Sequence, residues 1–364
     1  MDRQIPLVIS TGSPYERGFH LGTFEGERIA FTVEAYMRIF QACTGLEHAQ
    51  VLAVAERYLP VIAEYTPALL QEMRGIASGA GRDLREIVAI NARTELLYGG
   101  HLPAECTAVA LGPQATVDGG IYLAQNWDWH ISLAGGLVLW AIAPSEGRQV
   151  LTLTEAGIVG KIGTNENLAL CVNLLTSDGD SPRPALPMHL ILRHILDRAT
   201  CVSDAVSLIA ALPRSTSCNH LLADRSGTVA SVEATPLGQQ VLEAQDGWLT
   251  HTNHCQGGLL CASDSLVRDY PETLARNQRA QTLLAHMPVD QAMLHTLFCD
   301  HATAPGSICR HVQPGSPFLE QQESVASIIF HVGQGVIELA DGPPCTHAYR
   351  RVNIGAIPGW DAFA

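Results

Sequence analysis

Two apolar runs, Thr107 to Leu111 and Ile121 to Ala124, flank Asp118-Gly119-Gly120, and no other feature constrains the fold of this chain as tightly. Asp-Gly supplies a positive-φ turn, and the β-branched and aromatic residues around it suit half-buried strands, so the segment predicts an antiparallel hairpin. The first run is preceded by Glu105-Cys106-Thr107. The second leads into Gln125-Asn126-Trp127-Asp128-Trp129, which places Asp128 22 residues after Cys106. In an antiparallel pair the start of one strand lies beside the end of the other, which makes Cys106 and Asp128 neighbours.

A cysteine attacks as its thiolate, and a free thiol with a pKa of about 8.5 is mostly protonated at neutral pH. No histidine lies within the hairpin to activate it. Scission between Glu105 and Cys106 would give Cys106 a free α-amine, whose pKa of about 7.7 to 8.0 suits a general base near neutrality. One residue would then hold both nucleophile and base. The ordinary alternative is a cysteine serving as a small buried hydrophobe.

Six segments in order extend the pattern along most of the chain. They are Gly12-Ser13-Pro14-Tyr15-Glu16-Arg17-Gly18, Gly75-Ile76-Ala77-Ser78-Gly79-Ala80-Gly81, Asn91-Ala92-Arg93-Thr94-Glu95, Gln125-Asn126-Trp127-Asp128, Thr252-Asn253-His254 and Ser307-Ile308-Cys309-Arg310. On these residues the sequence resembles the isopenicillin N acyltransferase family, cysteine members of the N-terminal-nucleophile (Ntn) hydrolases. The resemblance implies an α+β fold, a four-layer αββα sandwich of two antiparallel sheets with helices on both outer faces. It also implies autocatalytic cutting before the cysteine and acyl chemistry on amides or thioesters. Residues 1–105 would become a smaller chain and 106–364 a larger one, held together within a single 1–364 domain.

The same resemblance assigns roles. Cys106 is the expected nucleophile and Asp128 the carboxylate that positions the freed amine. Asn253 matches the residue whose side-chain amide helps bind the oxyanion, a contribution of roughly 3 to 4 kcal/mol to a barrier. Arg310 matches an arginine near the nucleophile, where a permanent cation favours the thiolate. Thr107, Asn126, Trp127 and His254 are expected around the substrate, although an indole beside a site most often supplies packing. Glu105, on the other side of the cut, stands where the fungal enzymes lead one to expect a small residue such as glycine. Family branches that hydrolyse simple N-acyl or β-alanyl amides favour an amidohydrolase of small N-acylated amines over penicillin chemistry, with acyl transfer second. Two rivals remain open: an unprocessed cysteine hydrolase using a distant histidine such as His254, and a catalytically silent binding or scaffold protein.

With 364 residues, 47% hydrophobic and 16% charged, the chain can bury a large core. A formal charge of −14 argues against nucleic acid or an anionic membrane as partner and favours small molecules, with homo-oligomers possible in principle. No signal-like or bilayer-length apolar stretch is present, and the ten cysteines form no C-x-x-C pairs, so a cytoplasmic protein with reduced thiols is expected. His251, His254 and Asp300-His301 invite a metal, yet no compact Cys/His set completes a tetrahedral site; neither metal nor cofactor is expected. Gly79-x-Gly81 and Gly333-x-Gly335 lack a dinucleotide setting, and Gly-x-Ser-x-Gly is absent.

Apolar spacing at three and four predicts helices over Tyr15 to Cys43, Glu47 to Tyr58, Pro67 to Ser78 and Leu84 to Leu97. Beyond Thr107 come short strands: Ile158 to Ile162, Leu168 to Leu174, Leu221 to Ala223, Thr228 to Ala234, Trp248 to His251, Val325 to Val332 and Gly335 to Leu339. Helices over Pro187 to Ala199 and Pro271 to His286 interrupt them. Such an order suits antiparallel sheets covered by helices.

Overall fold

Where a run of residues alternates between two buried faces it must sit inside a sheet that is covered on both sides, and the Cys106 hairpin does so. The computed structural model describes residues 3–97, 105–258, 264, 266–286, 288–358 and 360. Strand β1 (Leu7–Gly12) leads into α1 (Pro14–Phe24), α2 (Gly26–Thr44), α3 (His48–Glu56), α4 (Leu59–Tyr65), α5 (Pro67–Ala80), α6 (Leu84–Asn91) and α7 (Arg93–Leu96). The hairpin strands are β2 (Glu105–Leu111) and β3 (Tyr122–His130), followed by β4 (Leu137–Pro144), β5 (Val150–Glu155), β6 (Ile162–Thr164) and β7 (Leu168–Leu175). After α8 (Met188–Arg198) and α9 (Val202–Ala211) come β8 (Ser217–Asp224), β9 (Val229–Thr235), β10 (Gly238–Glu243) and β11 (Trp248–His251). The remaining elements are α10 (Leu266–Asp269), α11 (Glu272–Leu284), α12 (Gln291–Phe298), β12 (Gln322–His331), β13 (Val336–Ala340) and β14 (Arg350–Asn353).

Among the described residues the strands form two sheets, ordered β1-β4-β5-β6-β7-β8-β9-β10 and β11-β2-β3-β12-β13-β14. Neighbouring strands run antiparallel except for the parallel β1–β4 pair, which the expectation of purely antiparallel sheets did not include. Strand alternation sorts the hairpin's side chains. Cys106, Ala108, Ala110, Leu123 and Trp127 enter the main core, which also holds apolar residues of the other sheet. Val109, Leu111, Tyr122 and Ala124 pack on the outer side against Ala280 and Leu284 of α11 and Leu294, Leu297 and Phe298 of α12. Helices α8 and α9 pack on the eight-stranded sheet, completing four layers, αββα.

Between the hairpin strands the link is longer than a tight Asp-Gly turn. Leu111 pairs with Tyr122, and a short 3-10 turn at Pro113–Ala115 precedes the Asp118 corner. There Asp118 accepts from the Gly120 N–H at 2.9 Å and from the Tyr122 hydroxyl at 2.6 Å, with Gly119 at φ 69°. The expected long helix from Tyr15 is two helices, broken at Glu25 (φ −115°, ψ 25°), and the Leu84 to Leu97 helix breaks at Ala92. Ile158 to Ile162 is a buried loop entering β6 rather than a strand. Its apolar residues are buried, and the Asn91 side chain serves the backbone, donating to Gly157 O at 2.8 Å and accepting from the Val159 N–H at 2.9 Å.

The glycines of the first two sequence segments have a packing reason. Helices α1 and α5 cross so closely that a Cβ on Gly18 would lie 1.9 Å from the Glu72 carbonyl oxygen, and one on Gly75 would lie 2.1 Å from that of Tyr15. At the same crossing Glu72, fully buried, accepts from Arg17 of α1 at 2.7 Å and from Arg193 of α8 at 2.6 Å. Gly75→Ala is therefore expected to cost about 1–3 kcal/mol by overpacking. Gly26→Ala, whose nearest neighbour would be 3.8 Å away, should cost nothing measurable. Urea unfolding of both variants checks this; equal stabilities would contradict the close crossing.

Candidate active site

Backbone register sets the site. In the β2–β3 ladder Glu105 lies opposite Asp128, Cys106 opposite Trp127 and Thr107 opposite Asn126, so Asp128 stands one ladder step from Cys106 with its side chain on the other face of the sheet. Cys106 is 6% exposed. It lines a cavity of about 20 Å³ with Arg93, Trp127, Trp129, Lys161 and Leu174 among its walls, room for roughly one water. Burial pushes the thiol pKa up; Lys161 pulls it down, the Asp128 charge raises it, and the Asp128 N–H and Gln125 side chain lower it. The thiol at rest is thus protonated and needs a base.

The Cys106 N–H donates to Asn253 Oδ1 at 2.7 Å. Arg276 of α11 donates to the same oxygen at 3.2 Å and to the Cys106 carbonyl at 2.8 Å. Asn253 Nδ2 donates to the Leu174 carbonyl at 3.0 Å. With donors on one end and a carbonyl on the other, the amide orientation is fixed by its partners. The oxygen, not the nitrogen, faces the nucleophile's amide. Across the sheet interface Asn173 of β7 reaches the His251 carbonyl at 3.2 Å, while Gln125 exchanges hydrogen bonds with both Val172 backbone groups at 2.6 and 3.1 Å. These ties lock the two sheets where Cys106 sits.

Alternation puts Thr107, Asn126 and Asp128 on the other face. Asn126, expected near substrate, spends its Nδ2 on the carbonyls of Phe298 (2.9 Å) and Ile308 (2.8 Å), and Thr107 accepts from Arg276 at 3.2 Å. Both point away from the cavity. Trp127 lines it, with Lys161 Nζ 3.2 Å above its ring. Asp128 Oδ1 accepts from Ser324 at 2.6 Å, and Oδ2 has no hydrogen-bond partner among the described residues. The Arg310 backbone brackets Ser324, its N–H donating to Ser324 Oγ and its carbonyl accepting from Ser324 N, both at 3.0 Å. Arg310 thus meets the site through Ser324; the guanidinium at the Cys106 carbonyl belongs to Arg276. His254 is held by the Thr252 and Thr273 hydroxyls at 3.1 Å, and burial pushes its pKa down to about 4. Among the described residues it makes no hydrogen bond to Cys106. Glu105 is placed by its strand pairing alone.

Arg276 and Lys161 were not anticipated. Arg276 sits in a polar helix, Ala275-Arg276-Asn277-Gln278-Arg279, where nothing in the sequence marks it as inward-facing. Lys161 did carry a signal: a lone lysine in the apolar run Ile158-Val159-Gly160-Lys161-Ile162. The fold assembles a compact ligand set the sequence hides, His301, Cys309, His311 and Cys345, with ligand atoms all within 4.8 Å of one another.

Two facing sheets with helices outside, and a cysteine near the start of an interior strand, define an αββα sandwich. Residues 115–338 match the family model described as acyl-coenzyme A:6-aminopenicillanic acid acyl-transferase, and the chain belongs to that family. It is 28% identical over 334 residues to the acyl-coenzyme A:6-aminopenicillanic-acid-acyltransferase 40 kDa form of Emericella nidulans, covering 90% of each chain. Protein dcd1A of Dictyostelium discoideum is 23% identical over 57% of this chain and 53% of its own length. Among solved structures, penicillin V acylase from Agrobacterium tumefaciens aligns with a TM-score of 0.49 and 15% identity, over 70% of this chain and 88% of that one. A conjugated bile acid hydrolase variant from Clostridium perfringens aligns at 0.46 and 12%, over 69% and 93%. No described helix is long and apolar enough to cross a membrane.

Burial pushes the Asp128 carboxyl up to about 7, against the pull of Arg276 and Ser324. A carboxyl raised above its unfolded value of about 3.9 contributes stability that is complete below that value and lost as pH rises through the folded pKa. Asp128→Asn escapes this loss. In a Cys106→Ala background, which removes the thiol's titration, the variant should gain on its parent between roughly pH 4 and 8, by a few kcal/mol at most. Urea midpoints across that range test it, and a constant difference would contradict the assignment.

Proposed function

We propose that the chain is an autoprocessing cysteine amidohydrolase that cleaves the amide bond of a small N-acylated amine through an acyl-Cys106 thioester. The observation that carries this reading is the Cys106 amide nitrogen seated on Asn253 Oδ1, with Arg276 behind it. An amine freed at that nitrogen keeps its acceptor and stays beside its own sulfur.

In the precursor the Cys106 sulfur attacks the Glu105 carbonyl carbon, the Glu105–Cys106 C–N bond breaks as the nitrogen takes up a proton, and a thioester remains. Water then hydrolyses it, leaving a Glu105 carboxylate and a free Cys106 thiol. Lys161, in the same cavity and with its pKa lowered by burial, is the basic nitrogen at hand before the α-amine exists. Residues 1–105 and 106–364 stay packed as one fold, because α1, α5 and α8 share the buried Glu72 network across the cut.

In the mature form the α-amine takes the thiol proton and the thiolate attacks the substrate carbonyl. The α-ammonium then protonates the leaving amine, and water or a second amine takes the acyl group. Asn253 Oδ1 holds the amine, and the Asp128 backbone N–H supplies a donor near the sulfur. The tryptophan and aliphatic walls fit an apolar acyl group, for which the cavity must widen. Acyl transfer is the second reading. It is favoured by the name of the Emericella nidulans relative, an acyltransferase, and by the burial of a nucleophile only 6% exposed.

Intact mass decides processing: purified protein should give fragments of about 11 and 28 kDa scaled from chain length, against 39.1 kDa for the whole. Cys106→Ala should remain whole and inactive. Both fragments from that variant would show that another group drives the cut.

A further inference from the structure

Four soft or borderline metal ligands meet on the connections around the six-stranded sheet, outside the cavity of Cys106. His301, Cys309 and His311 lie on the connection between α12 and β12, and Cys345 on that between β13 and β14. The separations are Nε2 to Nε2 3.1 Å for His301 and His311, and Sγ to Sγ 3.6 Å for Cys309 and Cys345. His311 Nε2 stands 3.7 Å from Cys309 Sγ and 3.2 Å from Cys345 Sγ. A tetrahedral zinc with bonds of about 2.3 Å to sulfur and about 2.05 Å to nitrogen has edges of about 3.8 Å (S–S), 3.6 Å (S–N) and 3.3 Å (N–N). These four edges fall within about 0.4 Å of those values, and the two from His301 to the sulfurs are no longer than 4.8 Å.

Hydrogen bonding does not account for the arrangement. His311 Nε2 carries at most one proton, yet three potential ligand atoms surround it. A Cys309–Cys345 disulfide would use the sulfurs and leave two imidazole nitrogens facing each other. A cation placed among the four atoms satisfies all of them.

We propose that His301, Cys309, His311 and Cys345 form a closed, structural binding site for a single zinc-type divalent ion. Two thiolates and two imidazoles select zinc over magnesium or calcium, and four protein ligands leave no position for a reactive water. The site is separate from the acyl chemistry and does not depend on it.

Its placement gives the ion a task. Cys309 lies between Ile308, whose carbonyl is held by Asn126 of β3, and Arg310, whose backbone brackets the Ser324 that donates to Asp128. The Cys309 N–H donates to the Asp300 carbonyl at 3.0 Å, and the Asp300 carboxylate is gripped by Arg279 of α11 at 2.7 Å. Binding would therefore pin the Asp300–Arg310 loop to the β13–β14 connection and brace the outer side of β3. His301 and Cys345 are exposed, so an ion can enter without unfolding.

The test uses the full chain, reduced and stripped of metal, titrated with zinc against a chromophoric chelator and with cobalt as a spectroscopic substitute. The expected result is one zinc per chain and the visible spectrum of tetrahedral, thiolate-bound cobalt. Cys345→Ser and His301→Ala alter exposed positions and should keep the native circular dichroism, while weakening zinc by more than about 100-fold, since even outer-shell partners cost 10–100-fold. Elemental analysis of protein grown in zinc-supplemented medium gives the occupancy on isolation. Wild-type affinity no tighter than that of the variants, or an octahedral cobalt spectrum, would overturn the proposal. So would a metal-free product lighter by two hydrogens and cross-linked between Cys309 and Cys345.

Discussion

The register of β2 against β3 is the constraint on which the rest of the site depends. A shift by one residue would turn one strand over relative to the other, sending either Cys106 to the helix-covered face or Asn126 into the cavity. Several buried side chains specify the observed register at once. Gln125 fits only where it meets both backbone groups of Val172, and Asn126 only where the Phe298 and Ile308 carbonyls converge. Each misplaced amide would lose its buried partners, at about 1–3 kcal/mol per unsatisfied group.

The hairpin serves two environments. Its inner face offers a narrow cavity walled by Trp127 and Trp129, over which Lys161 and Arg93 lie at 3.2 and 4.3 Å from the ring centres. Its outer face carries the polar work of positioning: Thr107 with Arg276, Asp128 with Ser324, and Asn126 with the loop that bears Cys309 and Arg310. Cys106 belongs to both, its sulfur turned inward and its backbone held by Asn253 and Arg276. That division explains why residues adjacent in the Gln125–Asp128 motif have unlike tasks.

Much of this was legible in the sequence because it follows from local period. Strand β11 falls on the predicted Trp248 to His251, and the Cys106 hairpin pairs as its two apolar runs require. The same alternation turns Asn126 and Thr107 outward. Other features depend on contacts between distant segments. The Arg276 grip on Cys106 spans 170 residues, and the ligand cluster joins His301 to Cys345 across β12 and β13. Hydrophobicity misled at Ile158 to Ile162, where burial of a loop mimics a strand, and at Glu25, where one long periodic stretch hides a break between α1 and α2. The orientation of the Asn253 amide is set by partners from α11, β2 and β7, and no local pattern encodes it.

The central claim is that one residue carries both thiol and free amine. Cyanobenzothiazole condenses with an aminothiol at a chain terminus, losing ammonia as the thiol and amine close a ring on the nitrile carbon. Applied to native, active protein, it should label the larger fragment on its first residue, Cys106, and abolish activity in step with labelling. Full activity in protein that takes no label at Cys106, even after unfolding exposes it, would contradict the account.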